Sequence, residues 1–123
     1  MNYKDIEKYK NLAFDARKNG EIEEATELME MYLSKIDPSF THPFHLFIAE
    51  NYFEKKEYEK SLNSLNRSLE IMDLFESALL LRSKIYEILG ENELAAKDKE
   101  KVQNHIEFEK SKWNDPNHYY KYK

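Results

Sequence analysis

The chain has 123 residues, 41% of them apolar and 35% charged, with a formal net charge of −5 and no cysteine. That is one domain, long enough to bury a core; the acidic balance argues against general nucleic-acid binding, and the missing cysteines remove disulfides and thiolate nucleophiles. No hydrophobic run reaches membrane-spanning length and Met1–Asp5 carries no apolar signal core, so the expectation is a cytoplasmic chain with neither a membrane nor a nucleic-acid partner.

Six helices are predicted. The first runs from about Tyr3 to Lys18, with Ile6, Tyr9, Leu12, Ala13 and Ala16 on one face at helical spacing. Asn19-Gly20 stops it, because glycine accepts the left-handed conformation at a helix end. The second, about Glu21 to Ile36, buries Ile22, Ala25, Leu28, Met29, Tyr32 and Leu33, and Asp37-Pro38 ends it. Pro43 opens the third, which runs to about Lys55 with Phe44, Phe47, Ile48 and Tyr52 inward. The fourth, about Glu57 to Met72, carries Tyr58, Ser61, Leu62, Leu65, Leu69 and Ile71. Asp73 is placed as the cap of the fifth, which runs to about Leu89 and is densely apolar: Leu74, Phe75, Ala78, Leu79, Leu81, Tyr86 and Leu89, with Leu80 and Ile88 left over. Gly90 ends that helix. The sixth runs from about Glu91 to Lys112, thinly apolar as an exposed last helix would be, and Asp115-Pro116 breaks it.

These helices repeat. Gly20, Lys56 and Gly90 each stand five residues before a small residue, Ala25, Ser61 and Ala95, and those three are 36 and 34 residues apart. A period in the mid-thirties means stacked helical hairpins, since one hairpin cannot bury its apolar stripe alone. Small residues such as Ala13, Ala25, Ala49 and Ser61 let the helices approach closely.

With Tyr9, Leu12, Ala13, Gly20, Ile22, Ala25, Met29 and Pro38 in the first repeat, the chain resembles the tetratricopeptide-repeat family over roughly residues 6–110. The second repeat carries His45, Ile48, Ala49, Tyr52, Tyr58, Ser61, Leu65 and Leu69, and the third Leu79, Ser83, Tyr86, Gly90 and Ala95. Departures are Lys56 at a turn-glycine position, Arg82 and Lys99 at normally apolar positions, and Asn92 where an aromatic is usual. The resemblance implies an all-α chain, a right-handed α-solenoid of three stacked antiparallel hairpins. Residues 1–112 would form the helical domain, with an extended last helix.

The family's groove positions, carried onto this chain, imply a partner-binding concave face of Lys10, Phe14, Arg17, Leu46, Phe47, Glu50, Phe53, Leu80, Leu81 and Lys84. It reads as basic at the N-terminal end and apolar further on. Chaperone-tail adaptors of that family grip a terminal carboxylate with Lys, Asn and Arg side chains. Lys10 fits that pattern, whereas Phe14, Phe47, Ser77 and Leu81 depart from it and argue against that function. An apolar groove instead suits an extended or helical segment of another protein. The same residues could be ordinary core, or could face another copy in a homodimer.

Residues 113–123 form a tail in which four of eleven residues are aromatic, too many for a solvated linker. It is expected to cap the domain, anchored by Trp113, Tyr119 and Tyr120; the rival is a free peptide that docks on a partner. His42 and His45 stand three apart near a helix start, but nothing in the motif completes a metal set. No phosphate loop, HExxH pair or GxSxG elbow occurs. The expectation is therefore a non-catalytic interaction module without cofactor or metal, and the alternative is a small assembly subunit that self-associates through its groove or tail.

Overall fold

A computed structural model describes residues 2–114, which contain six α-helices. These are α1 Tyr3–Lys18, α2 Ile22–Leu33, α3 His42–Glu54, α4 Tyr58–Ile71, α5 Glu76–Ile88 and α6 Asn92–Asn114, with no strand among the described residues. None of these helices is long and apolar enough to cross a membrane. The described residues divide into two compact units, one ending at Ala78 and the other beginning at Leu79.

One turn geometry occurs three times. The N–H of Gly20 donates to the Arg17 carbonyl at 3.1 Å, and that of Glu21 to the Ala16 carbonyl at 2.8 Å. Lys56 and Glu57 repeat this onto Phe53 and Tyr52, both at 2.9 Å, and Gly90 and Glu91 onto Glu87 and Tyr86 at 3.1 and 2.8 Å. Such paired bonds close a helix when the residue just beyond it is left-handed. Here φ is +81° at Gly20, +61° at Lys56 and +80° at Gly90. No atom lies within 4 Å of where a Cβ would stand at Gly20 or Gly90, so the dihedral alone asks for glycine there.

Lys56 meets the same demand with a side chain, at a steric cost of about 1 kcal/mol. Lys56→Gly is expected to stabilise the protein by about 0.5–1 kcal/mol, net of the freedom glycine returns to the unfolded chain. Calorimetry should show the midpoint rising by about 2–5 °C; an unchanged midpoint would mean that the lysine contributes contacts that offset its strain.

The small residues that follow each turn sit where two helices meet. Ala25 and Ser61 are 0% exposed and Ala95 2%. The Ser61 hydroxyl donates to the Ala49 carbonyl at 2.8 Å, which satisfies a polar group inside the α3/α4 contact. In the first unit α1 packs on α2, α3 on α4, and α2 on α3. Its core is built on Ala13, Met29, Tyr32 and Ile48, with Ile6, Tyr9, Ile36, Phe44 and Tyr52 packed around them. The Asn51 amide donates to the Thr26 hydroxyl at 3.0 Å, and Thr26 in turn donates to the Ile22 carbonyl, a buried polar link between α3 and α2.

Several expectations need correction. Leu12 is 51% exposed, not on the buried face; Ala13 and Ala16 hold that position. α2 stops at Leu33, short of Ile36. The Lys35 N–H bonds to Tyr32 and the Ser34 hydroxyl to Met31, tightening the last turn before proline is reached. Asp73 lies in a turn and does not cap α5, which starts at Glu76. Ile71, Leu74 and Leu89 were expected inward and are 37, 40 and 41% exposed.

In the second unit Ile85, 0% exposed, replaces Leu89 as a core residue of α5. Arg82 explains its own departure from an apolar position: its guanidinium forks onto Asp98 of α6 at 2.8 and 2.7 Å, and Asp98 is only 5% exposed. Lys99 likewise pairs with Glu87. α6 continues through Trp113, which therefore belongs to its last turn and not to a separate tail, and which is 57% exposed. Tyr119 and Tyr120, and with them most of the expected cap, lie outside the described residues.

Candidate functional site

The face formed by α1 and α3 of the first unit gathers five of the ten expected groove residues: Lys10, Phe14, Arg17, Phe47 and Glu50. Three rungs join the helices, and their order shows that α1 and α3 run the same way. Lys10 lies 5.8 Å from the centre of the Phe44 ring, Phe14 meets Phe47, and Arg17 meets Glu54. The middle rung is an edge-to-face pair with ring centres 5.3 Å apart and planes at 84°, a favoured aromatic geometry. Phe14 remains 40% exposed, so one ring of the pair is open to a ligand. Phe47 is half-buried and also packs against the core, so groove and core readings both hold for that residue.

The basic character expected at the N-terminal end is largely cancelled. Lys10 pairs with Glu7 at 2.7 Å, one turn back on its own helix, and Glu7 also accepts from the Tyr32 hydroxyl at 3.1 Å. Arg17 makes a two-point contact with Glu54, at 2.5 and 2.8 Å. Each partner stabilises the other's charge: the hydrogen-bonded Glu54 raises the Arg17 pKa, and Arg17 holds Glu54 below the usual carboxylate range. Glu50 is the exception. Crowding around its carboxyl raises its pKa, Arg17 pulls it down and Glu54 pushes it up.

The other expected residues are placed differently. Leu46 is half-buried on α3. Phe53 leans towards α4, its ring 5.9 Å from that of Tyr58. Leu80, Leu81 and Lys84 lie on α5 in the second unit, Leu80 48% exposed, Leu81 half-buried and Lys84 exposed. Glu7 and Tyr32 were not anticipated. The Glu7–Lys10 spacing of three was a readable signal, whereas Tyr32 reaches Glu7 only through the fold.

A second concavity of about 600 Å³ lies among α2, α3 and α4, with His45, Arg67, Glu30 and Glu70 on its walls. Burial is the main cause that lowers the His45 pKa below 6.5; Arg67 adds to it and Glu70 opposes it. The unfolded chain therefore takes up a proton at His45 before the folded chain does. Stability attributable to His45 is complete above pH 6.5 and falls as pH drops through that value towards the lower folded pKa. Urea titrations from pH 7.5 to 5 should show a steeper loss in the wild type than in His45→Gln, starting near about pH 6.5; parallel curves would remove His45 from the account.

The two histidines have different surroundings, since His42 meets Phe75 edge-on with ring centres 4.9 Å apart. Among the described residues no group of three or more His, Cys, Asp or Glu is placed to hold a metal.

No protein-family model and no curated protein matches the chain in sequence. Solved structures do match in fold. PcrH in complex with the chaperone binding region of PopB aligns with a TM-score of 0.73 at 14% identity, over 96% of this chain and 89% of that one. The second tetratricopeptide domain of Spaghetti (RPAP3), bound to the HSP90 peptide SRMEEVD, aligns with a TM-score of 0.71 at 18% identity, over 80% and 89%. MamA aligns with a TM-score of 0.70 at 18% identity; 79% of this chain is covered, and it spans only 56% of MamA. The chain thus has the fold of the tetratricopeptide-repeat proteins, its six helices fitting about three repeats.

Proposed function

From the tetratricopeptide fold as premise, we propose that this chain is a non-catalytic protein–protein interaction module, working in the cytoplasm, that captures a segment of another protein on the first helices of its hairpins. The observation that carries the reading is the Phe14–Phe47 pair, an aromatic contact left 40% open at Phe14 in the middle of the α1/α3 face. A partly exposed aromatic flanked by ordered charges is what a binding anchor needs. Support also comes from two neighbours of the same fold solved with a segment of another protein, an HSP90 peptide and a PopB region. Ordered ion pairs on the face mean that little has to reorganise on binding.

The test replaces Phe14 with a photo-crosslinking phenylalanine analogue and maps the products. Crosslinks to one recurrent segment of a different protein, competed away by the unmodified chain but not by Phe14→Ala, are the expected result. Crosslinks only between copies, with a mass that grows with concentration, would favour the self-associating subunit. Absence of any competed product would refute the module.

A further inference from the structure

We propose that the segment captured on the α1/α3 face presents a lysine or arginine beside its apolar anchors, and is not an acidic tail. This rests on the reading of that face as the partner site, and deepens it by naming the chemistry of the occupant.

The argument is a count of charges around the aromatic pair. At the Lys10 end the books balance, with Lys10 on Glu7 at 2.7 Å. At the Arg17 end two carboxylates, Glu50 and Glu54, share one guanidinium. Both terminal nitrogens of Arg17 are engaged by Glu54. Whichever carboxylate Arg17 takes, the other has no ion pair of its own among the described residues.

Position makes this count matter. Phe47 and Glu50 are three apart on α3, on one side of the helix, as are Phe14 and Arg17 on α1. A segment that covers Phe14 and Phe47 must therefore also cover the surplus carboxylate and take it out of water. A charge that loses its water needs a partner or a proton. Glu50 is still exposed in the free chain, with its pKa raised chiefly by the packing around it, so the larger part of that penalty falls when a segment covers it. An incoming cation resolves it and finds aromatic rings beside it. An incoming carboxylate would find Lys10 and Arg17 already paired, would meet only Lys18 unpaired, and would worsen the surplus at Glu50.

Lys18 is the competing group. It is exposed, pairs with no carboxylate among the described residues, and lies one turn beyond Phe14. It stands one turn from Phe14, as Glu50 does from Phe47, but in the last turn of α1, where its long stem can swing the ammonium out into water, so it contributes little to the choice of partner. The chain's formal net charge of −5 also draws basic segments towards it.

The experiment selects short random peptides, displayed so that all charge classes are represented, on the immobilised full-length protein. Winners are then measured by fluorescence anisotropy against the wild type, Phe14→Ala, Glu50→Gln and Lys18→Ala, each first checked for unchanged helicity. The expected winners carry Lys or Arg next to apolar residues. Their affinity should fall by about tenfold or more on Glu50→Gln and barely change on Lys18→Ala. Winners that are acidic or uncharged, and indifferent to Glu50→Gln, would overturn this inference while the partner site stands. Winners indifferent to Phe14→Ala, or no winners at all, would overturn the partner site and the inference with it.

Discussion

Replacing Arg82 with alanine is expected to cost about 3–5 kcal/mol, the largest effect of any single change proposed for this chain. The reason lies in what remains. Asp98 keeps 6% of its side-chain surface in water, and Arg82 only 22%, so the pair is mostly hidden from solvent. Two short bonds, at 2.8 and 2.7 Å, satisfy the carboxylate from the guanidinium fork. With the arginine gone, a buried carboxylate has no counter-charge, and water must enter or the helices must part. Arg82 also lies over the Tyr86 ring at 5.8 Å, so its stem and its charge are lost together.

Urea denaturation followed by circular dichroism measures the loss. The decisive comparison is the double variant Arg82→Met with Asp98→Leu, which removes both charges and refills the volume. It is expected to recover most of the stability, because a well-packed apolar pair commonly equals or exceeds a buried ion pair. If Arg82→Ala alone lost less than about 1 kcal/mol, the pair would be behaving as a surface salt bridge.

Met29→Ala is expected to cost about 2–5 kcal/mol. Met29 is 0% exposed, in a cluster with Ala13 of α1, Tyr32 of α2 and Ile48 of α3. Truncation there opens a cavity where three helices converge, and two of its neighbours are an alanine and a β-branched residue that adjust little. Met29→Leu, which keeps the volume, should lose less than about 1.5 kcal/mol. Similar midpoints for the two variants would mean that the site collapses freely. The core would then be looser than its burial implies.

The turns of this fold were readable because each is a local problem with few solutions. A left-handed residue between two apolar stripes asks for glycine, and the spacing of Gly20, Lys56 and Gly90 exposes the period even though one of them is a lysine. Small residues at Ala25, Ser61 and Ala95 follow from the close approach of helices at each turn. What the sequence hid is non-local. Nothing near Arg82 in the chain announces Asp98, sixteen residues away on another helix, as its partner. The apolar set of α5 includes Leu89 and omits the buried Ile85, because that helix is apolar on too many sides for periodicity to select a face. That Phe14, Phe47 and Arg17 share one face was legible from helical spacing. The pairing of Arg17 with Glu54, which cancels the basic reading at that end, was not.

The buried bond from Asn51 to Thr26 has a consequence for fidelity during folding. A chain built from near-copies of one hairpin risks pairing hairpins in the wrong order, since each hairpin offers a similar apolar stripe. One repeat further along, the positions of Thr26 and Asn51 are occupied by Leu62 and Ile85, both buried and both apolar. A mispaired hairpin would bring the Asn51 amide against hydrocarbon and leave its donor unmatched, at about 1–3 kcal/mol, while Thr26 keeps only its bond to Ile22 within α2. One hydrogen bond thus labels the contact of α2 with α3, so that the correct neighbour is recognised by chemistry as well as by shape.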